Sequence, residues 1–216
     1  MTVASVTAKI MSAVLSAAFH SRFIKNENMS ANAGAATENS RSRFRPPRGC
    51  TLTRTPCGEC FVESLVPENT GTDTVIFHIH GGSFKIKLID LYRRLALKYS
   101  RTAGGAAVYS VDYRIMPEYI FPSQLDDVMS AWDMLMSQGV KPENVIAVGD
   151  SSGANLVLAL AQKLRDSGRP MPKKLVCFSL WGDMTACGES YERNCHSDPF
   201  YGIAKKESFH EQDRKS

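Results

Sequence analysis

Apolar positions in this chain follow two periods that take turns. Val75-Ile76-Phe77-His78-Ile79-His80, residues 106–111, Val145-Ile146-Ala147-Val148 and residues 175–180 are short, nearly continuous apolar runs. Such runs, bounded by glycine or polar residues, predict strands buried on both faces. Phe61-Val62-Glu63-Ser64-Leu65-Val66 reads as a further strand. The stretches between them carry a helical period. Residues 88–99 place Leu91, Leu95 and Tyr99 on one side, and residues 125–136 bring Leu125, Val128, Trp132, Leu135 and Met136 onto one face. Residues 154–164 are helical in composition and stop before Gly168 and Pro170. Buried strands separated by helices predict an α/β fold, a mostly parallel sheet with helices on both faces.

The two ends break this rhythm. Val6, Ile10, Val14 and Ala17 or Ala18 fall at helical spacing and predict an amphipathic first helix. Residues 26–47, rich in Ser, Ala, Asn, Gly and Arg, predict a mobile connector. No run approaches the ~18 apolar residues of a membrane span, and the N-terminus makes a poor signal peptide. A cytoplasmic protein without membrane insertion is expected. At 216 residues and 43% hydrophobic content, one domain is expected, with the cap helix and connector at 1–47, the core at 48–202 and a polar tail at 203–216.

Charge and cysteines change this picture little. The net charge is +4, and Arg41, Arg43, Arg45, Arg48 and Arg54 cluster beside prolines with only Phe44 among them, which reads as a solvated stretch and not a nucleic-acid surface. Cys57-Gly58-Glu59-Cys60 has the spacing of half a zinc site, but Cys187 and Cys195 lack the tight spacing of a second half. A redox pair would usually open a helix, and Cys60 leads into a strand instead. The six cysteines therefore read as reduced thiols, with no metal and no cofactor.

Two turns carry the chemistry. In Gly149-Asp150-Ser151-Ser152-Gly153 a strand must turn sharply into a helix, with glycines at both ends allowing close backbone approach and Ser151 at the corner. Ser152 follows it, so its backbone N–H and the positive helix end face a developing oxyanion. His80-Gly81-Gly82 ends the first apolar run, and its glycines let backbone N–H groups complete an oxyanion hole. His80 and His78 read as structural, His80 holding the loop and His78 packed in the core.

These blocks, with Tyr113-Arg114-Ile115-Met116-Pro117-Glu118 and the following Phe121-Pro122, resemble the hormone-sensitive-lipase-like carboxylesterases, the α/β-hydrolase fold-3 group. Trp181-Gly182-Asp183-Met184-Thr185 and Asp198-Pro199 resemble later family landmarks more loosely, so the likeness covers about 60–202. It implies an α/β-hydrolase fold, Ser151 as the catalytic nucleophile, N–H groups of Gly81, Gly82 and Ser152 as the oxyanion hole, and support from His80, Gly149, Asp150 and Gly153. It also implies a small ester or acyl compound as ligand, no cofactor, and a mobile cap that includes the first helix. Ser83 replaces a usual third glycine, Ser152 a usual alanine and Ala154 a usual glycine.

In that family an acid and then a histidine follow the serine. Here 65 residues follow Ser151, with His196 and His210 as the histidines and Asp183, Asp198 and Asp213 as the nearest carboxylates. No stretch after Thr185 reads as a strand. The expectation is a chain that is C-terminally incomplete and lacks the last strands. Two functions stay open: a serine carboxylic-ester hydrolase, or a pseudo-hydrolase that binds a small apolar ligand without turning it over.

Overall fold

The computed structural model describes residues 42–185 and 187–194. The predicted first helix, the connector as far as residue 41, and the tail 203–216 lie outside them. The residues up to Trp181 belong to one compact unit, and Gly182 begins another, described separately below.

Six strands form one sheet: β1 (Cys50–Cys57), β2 (Cys60–Pro67), β3 (Val75–Ile79), β4 (Ala107–Asp112), β5 (Val145–Asp150) and β6 (Lys174–Phe178). Their order across the sheet is β1-β2-β4-β3-β5-β6. The β1–β2 hairpin is antiparallel and joins the sheet antiparallel to β4, while β4, β3, β5 and β6 run parallel. Three helices connect the strands: α1 (Asp90–Thr102), α2 (Ser123–Ser137) and α3 (Ser152–Asp166).

The period-2 alternation of each strand divides the core. Phe77 and Ile79 of β3 and Val145 and Ala147 of β5 pack with Val128, Trp132, Leu135, Val157 and Leu160 of α2 and α3. Trp132 meets Phe77 edge-on, with ring centroids 5.8 Å apart. Ile76, Val108 and Val148 point the other way and pack with Ala96 of α1. Helices cover both faces, as the apolar runs predict.

Three expectations are corrected. β1 is a strand where none is predicted, because its outward residues are polar or charged and only its partner β2 is apolar. The buried residues of α1 are Tyr92, Ala96 and Ser100, one position on from the predicted Leu91, Leu95 and Tyr99, and Leu91 is 64% exposed. One position is about 100° of helix rotation. The end of the predicted connector is also anchored. Asp90 accepts hydrogen bonds from Ser42 Oγ (2.6 Å) and from the N–H groups of Arg43 (2.8 Å) and Phe44 (3.0 Å), and Phe44 is buried.

Beyond Gly182 the described residues hold a turn and one short helix, α4 (Glu189–Arg193). Among the described residues β6 pairs only with β5 and is the last strand of the sheet on that side.

Candidate active site

The apolar strand β5 and the helix α3 leave one residue between them. Ser151 takes φ 51° and ψ −120°, a left-handed conformation that an L-residue adopts only when its surroundings impose it. The surroundings are two glycines. A Cβ on Gly149 would lie 2.6 Å from the Gly153 carbonyl oxygen, and one on Gly153 would lie 2.5 Å from the His80 carbonyl oxygen. Both approaches require a residue without a side chain, so the start of α3 can press against the ends of β3 and β5. The Ser151 N–H donates to the Phe178 carbonyl at 2.9 Å, and its carbonyl accepts from Asn155 N–H at 3.2 Å and Trp181 N–H at 3.4 Å. Asn155 Nδ2 donates in turn to the Trp181 carbonyl at 2.9 Å. The chain leaving β6 thus braces the corner.

The second turn lies at the end of β3. His80 is fully buried and stacks on Tyr113 with centroids 4.2 Å apart. Its Nδ1 donates to the Gly81 carbonyl at 2.8 Å, and the Tyr113 hydroxyl donates to the His80 carbonyl at 2.8 Å. Burial pulls the His80 pKa down to about 4 and that of His78 to about 3. Both rings are neutral near pH 7, and neither is placed to act as a base. Beyond His80, Gly82, Ser83 and Phe84 have φ values of 107°, 54° and 58°. Lys85 N–H closes this loop on the Gly82 carbonyl at 2.9 Å, and the Phe84 carbonyl accepts from Met116 N–H at 2.8 Å.

The two turns meet. Gly81 N–H donates to Asp150 Oδ1 at 3.1 Å, and Phe84 N–H donates to Ser152 Oγ at 3.4 Å. This brings together every residue the sequence singles out at 80–82 and 149–153. It also revises one assignment: the Gly81 N–H is engaged by Asp150, and the loop N–H groups between the two tethers belong to Gly82 and Ser83. Sequence reasoning noted Ser83 only as the replacement for a usual third glycine and gave its N–H no role, because a residue other than glycine gives no outward sign of a left-handed turn. It missed Tyr92, which packs against His80 with ring centroids 5.1 Å apart. Burial raises the carboxyl pKa of Asp150, while the Gly81 N–H and Tyr92 lower it.

The triad partners are not placed. Asp198, Asp213, His196 and His210 lie outside the described residues. Asp183 caps its own turn: the Thr185 hydroxyl, the Cys187 thiol, and the N–H groups of Thr185 (2.9 Å) and Cys187 (3.2 Å) donate to it and draw its pKa down to about 2. Cys57 and Cys60 face each other across the β1–β2 hairpin as buried free thiols, and burial pushes Cys60 up to about 12. Among the described residues no three His, Cys, Asp or Glu side chains gather as a metal site, and no helix is long and apolar enough to cross a membrane.

A sheet of this order with a strained serine between strand and helix defines the class of α/β-hydrolases. Residues 76–212 match the family described as alpha/beta hydrolase fold, and the chain belongs to it, within the hormone-sensitive-lipase-like group. An acetyl-hydrolase of Streptomyces hygroscopicus is 38% identical over 134 residues, which cover 62% of this chain and 44% of that protein. An esterase of Acinetobacter venetianus is 38% identical over 129 residues, covering 60% of this chain and 42% of that protein. The crystal structure of an esterase from the bacterial hormone-sensitive lipase family superposes with a TM-score of 0.66 at 29% identity, covering 84% of this chain and 57% of that one. The chain spans less than half the length of the curated relatives it matches.

Proposed function

We propose that this chain carries the nucleophile and oxyanion loop of a serine carboxylic-ester hydrolase that works through an acyl-enzyme on Ser151. One observation carries the reading: Ser151 occupies a strained corner whose neighbours on both sides hydrogen-bond the glycine-rich loop. The relatives named as an acetyl-hydrolase and esterases agree with it. A small ester is the expected substrate, and the buried free thiols Cys57 and Cys60 fit a cytoplasmic setting.

In this reading Ser151 Oγ attacks the ester carbonyl carbon as its proton passes to a base. The carbonyl oxygen gains charge and is met by the N–H groups of Gly82 and Ser152, with Ser83 beside them and the N-terminal end of α3 behind. Collapse of the tetrahedral intermediate releases the alcohol, and water then frees the acid from Ser151. The base is neither His78 nor His80, since burial makes both weak bases and their rings are held by Ser110 and the Gly81 carbonyl.

Acylation is the direct test. The chain is incubated with p-nitrophenyl butyrate or a fluorophosphonate, and the modified residue is found by mass spectrometry beside Ser151→Ala. Modification at Ser151 that vanishes in Ser151→Ala is expected. Equal release of p-nitrophenol by both folded proteins, with no adduct on Ser151, would overturn the proposal.

A further inference from the structure

The residues on either side of Ser151 reach the oxyanion loop with their side chains, one at each end. Asp150 takes the Gly81 N–H at 3.1 Å, and Ser152 takes the Phe84 N–H at 3.4 Å. Two tyrosines from other elements back the loop. Tyr92 of α1 is 9% exposed, packs against His80 with ring centroids 5.1 Å apart, and interacts electrostatically with Asp150. Tyr113, just after β4, is fully buried, stacks on His80, and donates its hydroxyl to the His80 carbonyl at 2.8 Å.

The loop needs such support. Gly82, Ser83 and Phe84 are consecutive residues in left-handed conformations, which strain Ser83 and Phe84 because each carries a side chain. A loop under that strain keeps its shape only where its ends are fixed. The fit is also close: a Cβ on Gly81 would lie 2.7 Å from the Asp150 carbonyl oxygen.

Building on the esterase reading, we propose that Asp150 and Ser152 are positioning residues whose side chains clasp the two ends of the oxyanion loop, with Tyr92 and Tyr113 holding the clasp from behind. The clasp fixes the N–H groups of Gly82 and Ser83 relative to Ser151 Oγ before substrate arrives. It is unequal, since a hydrogen bond to a carboxylate is stronger than a longer one to a neutral hydroxyl. The Asp150 end dominates.

The test has two readouts on the full chain. The first is amide exchange at Gly81 and Phe84 by NMR, which needs no activity. Asp150→Ala should speed exchange at Gly81 by about tenfold while leaving β5 amides unchanged, and Ser152→Ala should act on Phe84 alone and less. Asp150→Asn, whose side-chain oxygen can still accept the Gly81 N–H, should restore most of the protection. Should Asp150→Ala lose its folded spectrum, Tyr92→Phe asks the same question with a smaller expected change. Unchanged exchange at Gly81 in a folded Asp150→Ala, or in Tyr92→Phe should Asp150→Ala not fold, together with unchanged exchange at Phe84 in Ser152→Ala, would overturn the clasp.

The second readout is Ser151 acylation, where Asp150→Ala should lower the maximal rate about tenfold with little change in half-saturation. A wild-type chain that is not acylated defeats the esterase reading and leaves the exchange result to decide the clasp. A wild-type chain that is acylated no faster than Asp150→Ala defeats the clasp alone.

Discussion

A methyl group added to Gly153 would meet the carbonyl oxygens of both Ile79 and His80, the latter at 2.5 Å. Backbone atoms at the end of a buried strand have little room to retreat, so Gly153→Ala should destabilise the fold by about 2 kcal/mol or more in urea titration. A stability loss well under about 1 kcal/mol would show that the α3–β3 contact is looser than described. The glycines of this turn are legible in sequence because only they allow the approach. What each neighbouring polar group pairs with is not legible. Asp150 reads only as support for the motif, and its partner Gly81 comes from 69 residues away.

Among the elements, α2 and α3 are legible because their apolar faces alone choose their orientation. α1 is not. Its rotation is settled by Arg93, which donates through Nε to Glu63 Oε2 (2.6 Å), through Nη2 to Glu63 Oε1 (2.6 Å), and through Nη1 to Asp90 Oδ1 (2.8 Å). Arg54 of β1 pairs with the same Glu63 at 3.1 Å and with Asp112 at 2.7 Å. This network ties β1, β2, β4 and α1 together, and no apolar period encodes it. Glu63 is 5% exposed at its side chain, so Arg93→Ala should cost about 2–3 kcal/mol in urea titration, less than a fully orphaned buried charge because Arg54 remains. Glu63→Gln added to Arg93→Ala should recover part of the loss, and full additivity of the two would contradict the pairing.

At the scale of the whole molecule, two neutral histidines set the acid limit. In the unfolded chain each titrates near 6.5, but burial holds His80 at about 4 and His78 at about 3 when folded. Below pH 6.5 the unfolded state therefore binds more protons than the folded one, and stability falls as pH falls. By about pH 5 the loss is about 2 kcal/mol for each histidine, and it is absent above neutrality. Asp90, drawn down to about 2 by its hydrogen bonds from Ser42, Arg43 and Arg93, adds a further loss only below the ordinary carboxylate range near 3.8. Melts between pH 8 and 5 check this, with His78→Asn expected to remove about half of the slope while its amide still reaches Ser110, which His78 Nδ1 meets at 2.9 Å. A flat profile would show that the rings carry protons in the fold. The sheet order itself is beyond sequence pattern, which separates strands from helices but says nothing of which strands adjoin.

Serine at φ 51° and ψ −120° sits where glycine would rest without strain. Ser151→Gly should therefore unfold at a higher temperature than the wild type, by about 2–4 °C for each kcal/mol of strain released, while Ser151→Ala should not. The sturdiest version of this protein would then be one without a side chain at the corner.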